Sequence, residues 1–274
     1  MPRFAANLST LYTEHPFMER FAAAAQDGFD AVEFQFAYAH EPQAIAAALQ
    51  ACDQRCVLFN APPGDLQAGE RGLASLPGRQ DDFRRSIDRA LRWADVLDAD
   101  RVHVLAGVLQ ADPRGARAAM GAHARQLDRY RENLAWAAPL FASAGRSLLI
   151  EPINPQDMPG YWLNTQAQAH AIRREIASPA LKVQMDLYHA QRVEGDLTAR
   201  LDDWLGPGAD DGVGHLQIAG VPGRHEPDDT GELNWPHLFA RIDALGWTGW
   251  VGAEYMPRAS TRAGLAWLRT ARTR

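Results

Sequence analysis

Leu148-Leu149-Ile150-Glu151-Pro152-Ile153-Asn154 is the stretch that decides the fold. Three aliphatic residues run unbroken into a carboxylate, and Pro152, with no backbone N–H, ends regular pairing. A short continuous apolar run of this kind reads as a strand buried on both faces. Glu151 then sits at the carboxyl end of that strand, where the chain opens towards a pocket. The pattern repeats downstream. Leu181–Asp186 ends in an acid, Val213–Gln217 in a carboxamide and Trp250–Glu254 in an acid. Glu151, Asp186, Gln217 and Glu254 follow one another at intervals of 31 to 37 residues, each about one βαβ unit. Polar groups at successive strand ends predict a cluster at one mouth of a barrel.

Outward from this stretch, strands are predicted at Phe4–Asn7, Ala31–Gln35, Cys56–Asn60 and Arg101–Leu105. Helices are predicted from Pro16 to a cap at Gly28, and over Pro42–Ala51, Gln80–Leu97 and about Ala122–Ala142. The second half adds helices near Thr165–Ile176, Leu197–Leu205, Trp235–Leu245 and Thr261–Thr270. Ala61–Gly78 is punctuated by glycine and proline, and its 18 residues are long for a connection inside a compact domain. With Glu70-Arg71-Gly72 at its centre, it reads as a lid. Eight strand–helix alternations with no linker predict a single (β/α)8 TIM barrel over residues 1–274, a length within the range of that fold. A dinucleotide-binding fold would need a glycine-rich turn after the first strand, and Asn7-Leu8-Ser9-Thr10 has none.

A net charge of −6 argues against a nucleic-acid surface, although an anionic substrate needs only a local cation. Cys52 and Cys56 lack the usual zinc or redox spacing and read as reduced thiols of a cytoplasmic protein. No apolar run approaches the roughly 18 residues of a membrane span, and no apolar leader precedes Phe4. Lys182 is the only lysine. It lies four residues, roughly 13 Å, below Asp186 along its strand, too deep to serve as a nucleophile at this mouth.

Glu151, Asp186, Gln217 and Glu254 offer oxygen ligands suited to a hard divalent cation, Mg²⁺ or Mn²⁺. The competing reading makes each acid a helix cap or the partner of an arginine. For four consecutive strand ends that reading weakens, because burying unpaired carboxylates is very costly. His189, at the start of the loop beyond strand six, could hydrogen-bond a substrate oxygen or act as an acid. Arg224 could hold a substrate carboxylate in its guanidinium fork, or be a solvated loop residue. His215 reads as a buried supporting residue and Glu33 as a buried, paired acid below the site. His103 points either inward or towards a helix. Trp162 could wall the pocket, and the remaining histidines read as structural.

Several stretches go beyond barrel grammar. They are Arg3–Ser9, Ala68–Gly72, Leu76–Arg79, Ile150–Asn154, Gly214–Ala219 and Gly252–Tyr255. Together they resemble the hydroxypyruvate isomerase family of the xylose-isomerase-like barrels, over essentially the whole chain. Gly220–Glu232 also resembles the related 2-oxo-tetronate isomerases. The resemblance implies two catalytic glutamates, matching Glu151 and Glu254. It also implies metal ligands at the ends of strands five to eight, matching Glu151, Asp186, Gln217 and Glu254. The strand-seven ligand of the wider superfamily is usually histidine, so Gln217 departs from it. The implied substrate is a small hydroxy-oxo acid, hydroxypyruvate giving tartronate semialdehyde, with 2-oxo-tetronate as the alternative. Its proton α to the ketone is removed by one carboxylate, and a second carboxyl group returns a proton to the neighbouring carbon. His189, Arg224 and the Glu70-Arg71 lid would bind that substrate. An epimerase or dehydratase on the same barrel, a sugar-acid binding protein and a homo-oligomeric assembly stay open. A DNA-repair endonuclease would require a histidine-rich multi-zinc site and a basic face, which the sequence lacks.

Overall fold

A computed structural model describes residues 1–108 and 116–272, without the helix side chains at 116–122. Eight parallel strands close in sequence order into a barrel. They are β1 (Arg3–Asn7), β2 (Ala31–Phe34), β3 (Arg55–Asn60), β4 (Arg101–His103), β5 (Ser147–Ile150), β6 (Leu181–Asp186), β7 (Val213–Ile218) and β8 (Trp250–Ala253). The ring closes where β1 pairs with β8, Arg3 opposite Trp250. Around it lie α1 (Arg20–Gln26), α2 (Pro42–Ala51), α3 (Gln80–Leu97), α4 (Ala116–Ser143), α5 (Gln166–Ile176), α6 (Leu187–Val193), α7 (Leu197–Leu205), α8 (Trp235–Ala244) and α9 (Ala266–Arg272). Among the described residues no helix is long and apolar enough to cross a membrane, and both cysteines are free thiols.

The expected elements form, with one addition. The α6 helix starts directly at Asp186, whose side chain accepts the backbone N–H of Tyr188 at 2.8 Å as an N-cap. His189 is therefore held on a helix rather than in a loop. Thr165 caps α5 through the N–H of Gln168.

The barrel interior is layered. Ala5, Ala31, Val57 and Trp250 pack as a small apolar plug at its amino end, with the Arg3 guanidinium over the Trp250 ring. Above it lies a polar floor. Glu33, fully buried, accepts hydrogen bonds from Asn7 (2.9 Å) and Gln217 (2.6 Å) and pairs with His215 Nε2 (2.6 Å). The strand register slips at Val32/Glu33 and at Val183/Gln184, and each slip re-aims a polar side chain into this interior.

Ala61–Gly78 is a packed strap rather than a free flap. Gly72 bridges to Ala106, Ser75 N–H donates to Ala106 O (2.8 Å), and Asn133 Nδ2 donates to Ala74 O (2.8 Å). Gly72 sits at φ +110°, and a Cβ there would lie 2.4 Å from Leu105 O, so glycine is required.

Candidate active site

Glu151 and Glu254 are the first residues beyond β5 and β8, and Asp186 is the last of β6. Because the strands are parallel, these positions share one mouth, where a cavity of about 170 Å³ is lined by Glu151 and Glu254. Glu151, Glu254, His189, Arg224 and Arg71 all line it. Arg224 arrives from the turn after β7, where Gly220 bridges to His225 and Arg224 O accepts from Met256 N–H at 2.8 Å. That turn fastens Arg224 beside the exit of β8.

The electrostatics are those of several acids gathered around one cation. Arg224 stands 3.6 Å from each of Asp157, Asp186 and Glu254. Burial opposes its charge, but Glu254, Asp186, Glu151 and Asp157 together hold its pKa above the ordinary value. Burial raises Asp186 to about 6 and Glu254 to about 7, with Arg224 opposing both shifts. Burial, and then the charges of Glu254 and Asp186, push Glu151 well above the carboxylate range. Gln35 Nε2 donates to Glu254 Oε1 at 2.7 Å, which supports the charged form of Glu254. Glu151 Oε1 and Asp186 Oδ2 are buried without a hydrogen-bond partner among the described residues.

Those two orphaned oxygens bear on the metal question. One ligand atom each of Glu151, Asp186 and His189 lies within 4.8 Å of the others, so this group could hold a metal ion. Excess buried negative charge with unsatisfied oxygens fits a hard cation. The His189 imidazole fits less well. Asn154 Oδ1 accepts the backbone N–H groups of Gln156 (3.1 Å) and Asp157 (2.9 Å), which turns Asn154 Nδ2 towards His189 Nδ1 at 2.7 Å. Nδ1 is thus an acceptor, and the ring proton belongs on Nε2. A ligating imidazole ordinarily donates from its other nitrogen. Burial, then Arg224, keep His189 well below its usual pKa. Its Nε2–H is accordingly a neutral donor, 3.5 Å from Asp186 and 4.0 Å from Glu151.

Gln217 lines the cavity at its polar floor, its Oε1 accepting from Gln184 (2.6 Å) and its Nε2 donating to Glu33 (2.6 Å). Two expectations need correction. Glu70 does not face the cavity. Its carboxylate accepts from Arg79 and from Asp65 N–H (2.7 Å), so it organises the strap. Trp162 packs on Tyr130 with ring centroids 5.3 Å apart, behind the pocket wall. Glu33 and His215 are buried and paired as expected, and Lys182 binds Asp211 at 2.6 Å, away from the mouth.

His103 turns inward. It is 1% exposed, and its Nε2 lies 3.6 Å from Glu151 Oε2. Burial, and then His215, lower its pKa to about 3, so it is neutral. The sequence reading also missed Gln35, Asn60, Asn154 and Gln184. Period-two placement carried a signal for two of them: Gln35 is two residues beyond Glu33, and Gln184 two before Asp186.

The cluster predicts a pH signature. Below about pH 4 these acids are protonated in both states, and their contribution to stability is fully present. As pH rises, the folded chain keeps protons that the unfolded chain has released, and stability is lost through the folded pKa values. Buried neutral His103, His170 and His189 oppose this below about pH 6.5. Between pH 6.5 and 8 only the acids remain, with Glu254 at about 7. Without added metal, Tm is expected to fall by roughly 3 °C over that window, for about 1 kcal/mol. Mn²⁺, or Glu254→Gln, should flatten the fall. A Tm that rises over that window, or an unchanged slope in Glu254→Gln, would contradict the assignment.

The xylose isomerase-like TIM barrel family matches residues 21–271. The chain is 54% identical over 269 residues, 98% of each protein, to a 2-oxo-tetronate isomerase of Cupriavidus necator. It is 41% identical over 268 residues, again 98% of each, to the hydroxypyruvate isomerase of Escherichia coli. A crystal structure of a Brucella melitensis protein described as an AP endonuclease of family 2 superposes with a TM-score of 0.91 at 43% identity, covering 98% of this chain and 99% of that one.

Proposed function

The chain belongs to the xylose isomerase-like TIM barrel family, and from that premise we propose that it is an isomerase of small 2-oxo-3-hydroxy acids. Its substrate is 2-oxo-tetronate or hydroxypyruvate, whose carbonyl it moves from C2 to C3. The observation that carries this reading is the meeting of Glu151, Glu254 and the His189 donor on one cavity. At about 170 Å³ it is little larger than the roughly 150 Å³ cavity that holds a benzene. That suits a three- or four-carbon acid.

Glu254, supported by Gln35 and Arg224, is the better carboxylate and takes the C3 proton. The electron pair left behind forms the C2–C3 double bond of an enediolate. His189 Nε2–H donates to the oxygen on C2, where charge develops. Glu151, kept protonated by its burial, delivers a proton to C2. The C3 hydroxyl passes its hydrogen to the oxygen on C2 as the C3 carbonyl forms, so that C2 ends as a hydroxyl-bearing carbon. In the reverse direction the two glutamates exchange roles. Asp186, Glu254, Gln217 and the oxygen of Glu151 that does not carry the proton would hold a divalent cation, Mg²⁺ or Mn²⁺, which when bound supplies positive charge to the enediolate oxygens. Arg224 is already encircled by acids, whereas among the described residues no carboxylate pairs with Arg71, whose Nη1 donates to the backbone oxygens of Leu66 and Glu70. Arg71 is therefore the better anchor for the substrate carboxylate, and the strap that carries it shields the enediolate from water.

The test is incubation with each substrate in D₂O, with and without chelator, followed by product analysis. Isomerised product carrying deuterium at C2, lost with chelator and regained with Mg²⁺ or Mn²⁺, is the expected result. Loss of water, or no turnover of either acid, would overturn the isomerase assignment.

A further inference from the structure

One side of the cavity takes no part in the chemistry above. Asn60 and His103 are paired neighbours on β3 and β4, and both line the cavity. His103 stands opposite Leu149, two residues short of Glu151, so it lies one layer beneath the reacting level. Neither of its ring nitrogens has a hydrogen-bond partner among the described residues, and both are cut off from solvent. The 3.6 Å separation from Glu151 is too long for a hydrogen bond. Asn60, only 8% exposed, likewise makes no side-chain hydrogen bond among the described residues. A neutral imidazole offers one N–H and one lone pair, and a carboxamide offers both kinds of group. Leaving the two buried imidazole nitrogens unmatched is costly. Their complement is a hydroxyl group, which donates and accepts. A carboxylate only accepts, so it leaves the lone pair of the imidazole unmatched. The charged end of a substrate is better placed at the mouth beneath Arg71, since burying a neutral hydroxymethyl group costs far less than burying a carboxylate.

We infer that Asn60 and His103 form a subsite for the terminal hydroxymethyl group of a four-carbon substrate, which stands in the cavity with its carboxylate towards Arg71. This rests on the isomerase reading and sharpens it: the chain prefers 2-oxo-tetronate, and hydroxypyruvate, one carbon shorter, leaves the subsite unfilled.

The experiment is steady-state kinetics on both acids for the wild type, His103→Leu, His103→Gln and Asn60→Ala, each checked for folding by thermal unfolding. The wild type should favour 2-oxo-tetronate. In His103→Leu the ratio of kcat/KM for 2-oxo-tetronate over hydroxypyruvate should fall about 10- to 100-fold, mostly through KM. Asn60→Ala should move it the same way, and His103→Gln, which keeps a donor and an acceptor, should recover part of it. If His103→Leu fails to fold, Asn60→Ala and His103→Gln still read the ratio. Equal losses on both substrates would mean that His103 acts through Glu151, and the subsite would be refuted. So would a wild type with no preference for the longer acid. A wild type that turns over neither acid would instead bring down the isomerase reading itself.

Discussion

Glu254→Gln should lower turnover by about 10³-fold or more and abolish solvent exchange, whereas Glu151→Gln should lower turnover comparably yet still exchange the substrate's C3 hydrogen for deuterium. The asymmetry follows from the environments of the two acids. Both are buried, but Glu254 accepts from Gln35 at 2.7 Å and lies 3.6 Å from Arg224, so its ionised form is supported. Glu151 has an unpartnered buried oxygen and its pKa is driven well above the usual range. General acid–base catalysis by one positioned group contributes roughly 10²- to 10⁴-fold. Removing the base stops the first step. Removing the acid blocks only delivery to C2, so proton abstraction and its reversal continue. Glutamine preserves volume at both positions, and a mass-spectrometric time course in D₂O separates the two outcomes. Exchange persisting in Glu254→Gln, or vanishing equally in both variants, would remove the assigned roles.

Gly252→Ala is expected to be as damaging without touching a titratable group. A Cβ on Gly252 would lie 2.2 and 2.4 Å from the two carboxylate oxygens of Glu33. Glu33 cannot swing aside, because Asn7, His215 and Gln217 hold it on three sides. Either β8 moves outward or the floor beneath the site breaks up. Overpacking a well-filled core costs typically about 1–3 kcal/mol, and parting a buried charge from its partners costs about 3–5 kcal/mol. A loss of about 3 kcal/mol or more in urea unfolding is expected, with kcat reduced because Glu254 follows two residues later on the displaced strand. Gly214, whose Cβ would instead press on Leu149 and Lys182 below the site, is the contrasting position. Gly214→Ala should destabilise the fold with a smaller effect on the kcat of the folded fraction. Wild-type stability in Gly252→Ala would show that the floor is not rigid.

Much of this architecture was legible along the chain. Unbroken apolar runs ending in Glu151, Asp186, Gln217 and Glu254 at the repeat of a βαβ unit specify parallel strands, and parallel strands in a closed ring must deliver their carboxyl ends to one mouth. Helix positions followed from 3.6-residue periodicity, and α2, α3 and α7 fall where that spacing puts them. The α6 helix was missed because its seven residues are too few for periodicity to register, and its cap is also a site acid.

The sequence by itself determined the barrel, the mouth and the acids that meet there, because strand period and repeat length are local properties of the chain. Only the tertiary structure decided which polar groups are free to act. Gln217 reaches the cavity while bonded to Glu33 and Gln184, Glu70 is spent on Arg79, and His103 faces inward with both nitrogens unmatched. Hydrogen-bond partners come from residues tens to hundreds of positions away, and whether a side chain's donors and acceptors are already satisfied is written only in three dimensions.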